Sequence, residues 1–249
     1  MKKILLSSTL LLLATLSFSQ TDNSLNGLLK KASDIFNPGK ANSGSLSTNE
    51  IVSGLKEALS LGAQKSGDKL SATDGFFRDA VIKILMPPEA AKVESKLRML
   101  GMGRLVDNAI LSLNRAAEDA SISAAPIFLD AIKKMTLQDA LGILKGRDTA
   151  ATSYFRNTTT EKLTFAFRPI IDASLQKVNA TKYWKDVFTA YNQISFTKVN
   201  TDLNSYVTSK ALNGIFYYVA EEEKKIRTNP AERVSDLLKK VFGSARSGS

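Results

Sequence analysis

The chain has 249 residues, a formal net charge of +10 at pH 7, and neither histidine nor cysteine. These absences exclude a disulfide framework, Ser-His-Asp and Cys-His catalysis, and zinc sites built on imidazole or thiolate, so an enzyme would need carboxylate, lysine, tyrosine or Ser-Lys chemistry. The basic excess is spread along the chain, which favours a solvated basic surface over a nucleic-acid interface.

Residues 1–19 have the pattern of a secretory signal peptide. Lys2 and Lys3 precede an apolar run from Ile4 to Leu16, and small residues follow just before Gln20, where cleavage is expected. An uncleaved anchor is the alternative, but the run is short for a span of about 20 residues. No cysteine follows the apolar run, so the protein is not expected to be a lipoprotein. We therefore expect an exported protein, periplasmic or secreted, with no transmembrane segment in the mature part.

Three further regions follow the signal peptide. Residues 20–46 are polar and include NPGKANSGS, which predicts a flexible lead or linker. A Ser-x-x-Glu capping box at Ser47 and Glu50 then opens a helical domain over residues 47–243, and residues 244–249 form a disordered tail. Within the domain, the β-branched run ended by Pro87 and Pro88 predicts a short extended segment near residues 80–86.

The rest of the domain has the apolar periodicity of helices. This pattern predicts the all-α class, as a single bundle of about nine or ten helices. Two predicted helices span Glu89–Leu100 and Gly103 to about Ala120, and the apolar stripe of the second is Leu105, Ala109, Ile110, Leu113 and Ala117. Three more are predicted to begin at Pro126, at a Thr136-x-x-Asp139 cap and at a Thr158-x-x-Glu161 cap, the last of them running to Leu175. A further helix has Trp184, Val187, Phe188 and Tyr191 on one face, the longest predicted helix runs from Asp202 to Arg227, and the last spans Pro230–Gly243.

Charged and hydroxyl motifs in these helices have structural interpretations. Glu221 with Lys225 and Glu223 with Arg227 are spaced as ordinary ion pairs on a solvated face, not as a cation site. Ser-x-x-Lys spacings are expected by chance in a chain rich in both residues, and the other motifs of penicillin-recognising enzymes are missing. The three occurrences are Ser66/Lys69, Ser174/Lys177 and Ser195/Lys198. The sequence predicts no catalytic residue, metal site or cofactor.

The stretch LKGRDTAATSYFR, residues 144–156, is the strongest candidate for a ligand site. Gly146 suits a helix C-cap and Asp148 the N-cap of the next helix, so capping alone accounts for the stretch. The alternative is that this helix N-terminus holds an anion, helped by nearby cationic and hydroxyl groups. The candidate ligand residues are Arg147, Asp148, Thr149, Thr152, Tyr154 and Arg156.

Several motifs in order resemble an uncharacterised bacterial family, domain of unknown function 4197. They are EIVSGLKEALSLGAQK, DGFF…IKILMPPE, LVDNAILSLNRAAEDA, DALGILKGRDTAATSYFR and EEEKKIRTNPAERVSDLLKKVFG, and they cover about Ser47 to Gly243. The resemblance implies an exported helical protein and transfers no catalytic or binding residue. It makes Asp148, Thr149, Thr152, Tyr154, Pro87 and Pro88 family-typical. Members often have Ile-Pro-Leu-Pro-Pro where this chain has Ile-Leu-Met-Pro-Pro, which argues against a rigid polyproline role.

Three functions remain open at the level of sequence. The first is a non-catalytic binding or interaction protein, with a helical cleft for a small anionic or amphiphilic ligand or a surface for an envelope protein. The second is a hydrolase or lyase that uses carboxylate, tyrosine or lysine chemistry, such as Asp148 with Tyr154. The third is a structural role in the envelope. The missing catalytic motifs favour the first.

Overall fold

The computed structural model describes residues 47–177 and 202–233, together with isolated positions at 179, 181, 184, 189, 192, 235, 236, 239 and 241. The predicted signal peptide, lead and C-terminal tail lie outside the described residues. So do most of the predicted helix around Trp184 and most of the last predicted helix, although Trp184 itself is helical and buried.

The described residues are helical and contain no strand, which confirms the all-α class. The predicted number of nine or ten helices is not reached within this part of the chain. The α-helices are α1 (Thr48–Ser71), α2 (Ala91–Met99), α3 (Gly103–Ser121), α4 (Ala124–Lys134), α5 (Leu137–Lys145), α6 (Ala150–Lys177) and α7 (Leu203–Thr228), and 3-10 turns lie at Pro88–Ala90 and Pro230–Glu232.

Local capping boxes begin two of the helices, as predicted. At α1 the Ser47 hydroxyl accepts the Glu50 N–H at 3.2 Å, and the Glu50 carboxylate accepts the Ser47 N–H at 2.8 Å. Thr136 and Asp139 make the same reciprocal pair at α5. A side chain that satisfies such an end group contributes about 1 kcal/mol, which explains why these two starts are readable from sequence.

Helices α6 and α7 form the centre of the bundle and pack against each other. Helix α3 lies against both of them, and α1 packs on α4 and α7. An aromatic cluster joins three of the helices, because the ring of Phe128 lies 5.1 Å from that of Phe155 and 6.0 Å from that of Phe216. The predicted stripe of α7 is fully confirmed as buried: Leu203, Val207, Ala211, Ile215 and Val219.

Helix α6 is continuous where the sequence predicted a new helix. It has 28 residues against 26 in α7, so the prediction that α7 is the longest helix is also wrong. Thr158 lies in mid-helix and its hydroxyl donates to the Tyr154 carbonyl at 2.8 Å. The N–H groups around Thr158 already have helical partners, so a Thr-x-x-Glu spacing there has nothing to cap.

The segment between α1 and α2 forms no strand at the predicted position. Residues 80–82 form a turn and residues 83–87 have no regular structure. The Ile84 N–H donates to the side-chain oxygen of Asn114 on α3, and the Asn114 amide donates back to the Ile84 carbonyl, both at 2.8 Å. The buried Asn114 amide thus makes the hydrogen bonds to the Ile84 N–H and carbonyl that a neighbouring strand would otherwise make.

Most residues of the apolar stripe predicted for α3 are buried, but the first of them is exposed. Ile110, Leu113 and Ala117 are buried, whereas Leu105 is 55% exposed and Val106 lies inward instead. Both residues are apolar, so a hydrophobic pattern at the start of a helix does not decide between them.

Candidate functional site

The predicted ligand stretch forms a tight corner between α5 and α6. Gly146 is the C-cap of α5, as predicted, but its φ of −77° is not left-handed. A Cβ atom at Gly146 would lie 2.5 Å from the Cβ of Ala150 and 2.8 Å from the Gly142 carbonyl oxygen. The glycine is therefore required by the close approach of the two helices.

The N-terminus of α6 is capped by Glu223 of α7, not by Asp148 as predicted. The N–H groups of Ala151 and Thr152 donate to the two carboxylate oxygens of Glu223, each at 2.9 Å. The Thr152 hydroxyl adds a third bond at 2.8 Å. An anion does lie at this helix N-terminus, but it is the protein's own carboxylate.

Arg227 completes the corner from the other side. Its guanidinium binds Glu223 at 2.9 Å and donates to the Ile143 carbonyl oxygen at 2.8 Å, at the end of α5. One ion pair on α7 thus caps the end of α5 and the start of α6. Glu223 is only 6% exposed, so the predicted solvated face is wrong here. The predicted pair of Glu223 with Arg227 is present, but this face of α7 packs against other helices instead of facing solvent.

The neighbouring glutamates do not follow the predicted pairing either. Glu222 is buried, and its carboxylate binds the Lys225 ammonium at 2.6 Å, three residues away. The predicted partner of Lys225 was Glu221, which is only half-buried. The face of α7 that carries Glu222 and Glu223 packs on other helices, and the hydrophobic pattern alone did not show this.

The structure separates the six candidate ligand residues. Arg147, Asp148 and Thr149 are exposed in the corner, and Thr152 is buried against Glu223. The Tyr154 hydroxyl points to the Ala131 carbonyl on α4 at a long 3.4 Å. Burial, together with the Asp139 carboxylate, raises the pKa of Tyr154. Of the six, Arg156 is the one that lines a groove in the described part of the chain.

That groove lies between α6 and α7 and has a volume of about 270 Å³. Its α6 wall repeats every four residues from Arg156 to Arg168, a length of about 18 Å along the helix axis. Phe216 and Leu212 are its apolar lining residues, although both are buried, and hydroxyl and amide side chains make up most of the rest. The lining residues are Arg156, Thr160, Thr164, Arg168, Ser205, Thr208, Ser209, Leu212, Asn213 and Phe216.

The two arginines give this groove a positive potential at both ends. The guanidinium carbon of Arg156 lies 4.4 Å from the centre of the Phe216 ring, and no carboxylate in the described part of the chain pairs with it. Arg168 lies 3.7 Å from Asp202, a loose and exposed pair. The Thr160 and Thr164 hydroxyls donate to helix carbonyls at 2.6 and 2.7 Å and so offer acceptor lone pairs to the groove.

A second buried carboxylate, Glu118 on α3, is used structurally in the same way as Glu223. It accepts the N–H groups of Phe76 and Phe77 at 3.0 and 3.1 Å and binds Arg115 at 2.5 Å. Arg115 also binds Asp74, whose φ of 69° is left-handed, at 2.6 Å. The sequence analysis did not single out Glu118 and predicted a solvated face for Glu223, because a mid-helix glutamate carries no sequence signal for a cap on a distant segment.

The residues that the structure describes contain no group of three or more acidic side chains placed to hold a metal ion. No helix among them has the length and apolar character needed to cross a lipid bilayer.

Comparison with known proteins places the chain in a family. Residues 45–243 match the family model described as "Protein of unknown function (DUF4197)". The chain belongs to that family. Neither the curated proteins nor the solved structures contain a detectable match. The DUF4197 assignment confirms the resemblance carried by the sequence motifs and adds no activity, so a function for this domain must be argued from its own geometry.

Proposed function

We propose that this DUF4197 protein is an exported, non-catalytic binding protein that holds a small anionic ligand in the groove between α6 and α7. The observation that carries the proposal is the guanidinium of Arg156, which lies on the Phe216 ring at 4.4 Å inside the groove. Stacking on a ring fixes the plane of a guanidinium and leaves its N–H groups free for a planar or tetrahedral anion.

The rest of the groove supports an elongated ligand with a polar body. Arg168 offers a second cation at the other end, and its bond to Asp202 is loose enough to be exchanged. Thr160 and Thr164 present acceptors between the arginines, which suits hydroxyl or amide donors on the ligand. Phe216 and Leu212 are only 1% and 7% exposed, so the groove offers little apolar surface to an alkyl chain and favours a polar ligand.

The contacts of the buried carboxylates disfavour the hydrolase or lyase alternative. Glu118 and Glu223 are each bound by two backbone N–H groups and an arginine, so neither has an oxygen turned to a substrate. The proposed pair of Asp148 and Tyr154 is divided, since Asp148 is exposed and Tyr154 points to α4.

Calorimetric titration with two probes tests the binding proposal. Inorganic phosphate measures recognition of the anion alone, and monododecyl phosphate below its critical micelle concentration measures the contribution of an apolar tail. We expect Arg156→Gln to weaken binding by about tenfold or more, because it removes a charge-assisted hydrogen bond. Arg147→Gln, an exposed arginine outside the groove, is the matched control and should change the affinity less than twofold.

Native mass spectrometry of the purified chain provides an independent check. A small molecule retained by the wild type and lost in Arg156→Gln would support the groove as its site. If both probes bind Arg156→Gln as tightly as the wild type, or if neither binds the wild type and no molecule is retained, the groove is not an anion site.

Export is tested separately by cell fractionation and N-terminal sequencing. We expect the mature chain in the periplasm or medium, beginning at Gln20, because the basic start and apolar run before it have the pattern of a signal peptide. Recovery of the chain from the cytoplasm with residues 1–19 still attached would contradict export. That result would not bear on the binding proposal, which the titrations test separately.

A further inference from the structure

The hairpin formed by α2 and α3 carries apolar side chains at its tip. Helix α2 has no buried residue, and its main contacts are with α3 and the preceding 3-10 turn. Four large apolar side chains around the turn are exposed, and we call them the hairpin tip: Met99 (75%), Leu100 (75%), Met102 (45%) and Leu105 (55%). Large apolar side chains that are exposed together at one turn are typical of an interaction surface.

The turn at the hairpin tip is well defined by its backbone. Gly101 has a φ of +76°, the Met102 N–H donates to the Leu97 carbonyl at 2.9 Å, and the Gly101 N–H donates to the Arg98 carbonyl at 3.1 Å. These bonds form a Schellman motif, which requires the left-handed residue that glycine provides. The fold therefore fixes the chain where it exposes these four side chains.

Basic side chains outnumber acidic ones along the hairpin that carries the tip. Residues 91–107 contain Lys92, Lys96, Arg98 and Arg104 and only two acidic residues. Arg98 binds both acids, Glu94 at 3.0 Å and Asp107 at 2.9 Å. Lys92, Lys96 and Arg104 make no ion pair with any described residue, so the excess charge around the hairpin tip is positive.

We infer that the hairpin tip docks the protein onto an anionic lipid surface. Exposed apolar side chains on a hairpin with unpaired cations match the interface of a bilayer with acidic headgroups, where the apolar side chains enter the acyl boundary and the cations contact phosphates. With nine residues, α2 is far too short to span a bilayer, so the mode is interfacial. The surface is distinct from the α6–α7 groove and does not depend on the proposed ligand.

A lipid occupant fits the charges and shape better than a second copy of the chain. Two copies meeting at this tip would bring two sets of unpaired cations together, and like charges facing each other oppose association. A pointed turn with four exposed side chains also offers little area for a protein interface, which buries about 800 Å² per partner.

Vesicle co-sedimentation of the chain from Gln20 to Ser249, the form expected after removal of the leader, tests the inference. Vesicles of equimolar phosphatidylglycerol and phosphatidylcholine should bind it, and vesicles of phosphatidylcholine alone should bind it much less. We expect Leu100→Ser/Met102→Ser to reduce binding by about tenfold or more, because two apolar side chains no longer leave water. Lys96→Ala/Arg104→Ala should reduce it by a smaller factor that disappears at high salt.

The matched control removes two exposed apolar side chains elsewhere. Ile122 and Phe165 are 68% and 84% exposed, and Ile122→Ser/Phe165→Ser should bind vesicles as the wild type does. The inference is overturned if the wild type does not bind acidic vesicles, or if the control variant loses as much binding as the tip variant. Sedimentation equilibrium gives a further decisive result: a dimer that Leu100→Ser/Met102→Ser dissociates would assign the tip to self-association instead.

Discussion

Glu223 shows how a single buried charge organises this bundle. The carboxylate accepts hydrogen bonds from two backbone N–H groups, a threonine hydroxyl and an arginine, so four donor groups offset its desolvation. Arg227 in turn donates to the end of α5. Removal of either partner leaves the charge of the other buried without an opposite charge, so the two residues act as one unit.

Glu223→Gln should lower the free energy of unfolding by about 3 kcal/mol, because it leaves the Arg227 guanidinium buried without its carboxylate. Urea denaturation followed by circular dichroism measures this loss. The half-buried neighbour Glu221 provides the control, and Glu221→Gln should change the free energy of unfolding by less than about 0.5 kcal/mol. Equal midpoints for Glu223→Gln and the wild type would mean that the ion pair is not needed to hold the corner.

A hydrogen bond between Tyr218 of α7 and Asp79 connects that helix to the segment between α1 and α2. The Tyr218 hydroxyl donates to Asp79, and the Lys69 ammonium lies 2.6 Å from the same hydroxyl oxygen. Burial raises the pKa of Asp79, but hydrogen bonds from Tyr218 and from the N–H groups of Val81 and Ile82 outweigh it and hold the pKa below its usual value. Burial and the Asp79 carboxylate raise the pKa of Tyr218.

Tyr218→Phe should lower the free energy of unfolding by about 1 kcal/mol at pH 7, through loss of the bond to Asp79. Since the folded pKa of Asp79 is depressed, its stabilisation is present above its ordinary pKa of about 3.9 and is lost as the pH falls through the folded value. The difference between the variant and the wild type should therefore narrow below pH about 4. Urea midpoints measured from pH 7 down to pH 3 check this, and a constant difference would contradict it.

At the scale of the element, two glycines within helices have opposite roles. A Cβ atom at Gly214 of α7 would lie 2.6 Å from the Phe76 ring, so the glycine lets the α1–α2 connection approach the helix. Gly142 of α5 has no atom within 4 Å of such a Cβ atom. Packing requires Gly214, whereas Gly142 only lowers the helix propensity of α5.

Gly142→Ala and Gly214→Ala should therefore shift stability in opposite directions. We expect the first to raise the free energy of unfolding by about 0.5–1 kcal/mol, the propensity gain of alanine in a helix. The second should lower it by about 1–3 kcal/mol, because the added methyl group displaces a buried ring. Thermal and urea unfolding of the two variants side by side measures both, and a destabilising Gly142→Ala would show that α5 needs the glycine for another reason.

The elements that the sequence predicts correctly are those that local signals define. The capping boxes at Ser47 and Thr136 are complete within four residues, and α7 ends at Thr228, one residue beyond the predicted Arg227 and shortly before Pro230. The same kind of spacing fails at Thr158, because the N–H groups there already have helical partners. The start of α6 could not be predicted, since its cap lies 72 and 71 residues away on α7.

At the scale of the whole molecule, buried polar side chains connect the irregular segments to the helical core. Glu118 and Asn114 of α3 hold the α1–α2 connection, and Glu223 holds the start of α6. Helix α2, which buries no residue, lacks such a tie in the described structure. The molecule should therefore have a stable core that includes parts of its connections, and one weakly held hairpin arm.

Native-state hydrogen exchange measures this distribution of stability. The amides of Phe76, Ile84 and Ala151 should exchange only through global unfolding, although none lies in the middle of a helix, because each donates to a buried side chain. The amides of α2 should exchange by local opening at a much lower free energy. Equal protection in α2 and at Ile84 would contradict this division.

The candidate site was only partly readable from the sequence. The sequence allows an anion at the N-terminus of α6, but it predicts a solvated face for Glu223, the source of that anion, because pairs four residues apart are common on such faces. Arg156 was among the candidates, whereas Arg168 and the α7 wall of the groove were not. Such a wall depends on how two helices pack, and no spacing within either helix specifies that packing.

The distant cap of α6 also sets an order of events during folding. A chain that emerges N-terminus first exposes the α5–α6 corner long before Glu223 and Arg227 follow, 72 and 84 residues later than their partners Ala151 and Ile143. Until then the N–H and carbonyl groups at the corner that Glu223 and Arg227 bind in the folded protein are left to water. The corner is therefore capped only after α7 has joined it, and a helix from late in the described chain completes two earlier ones.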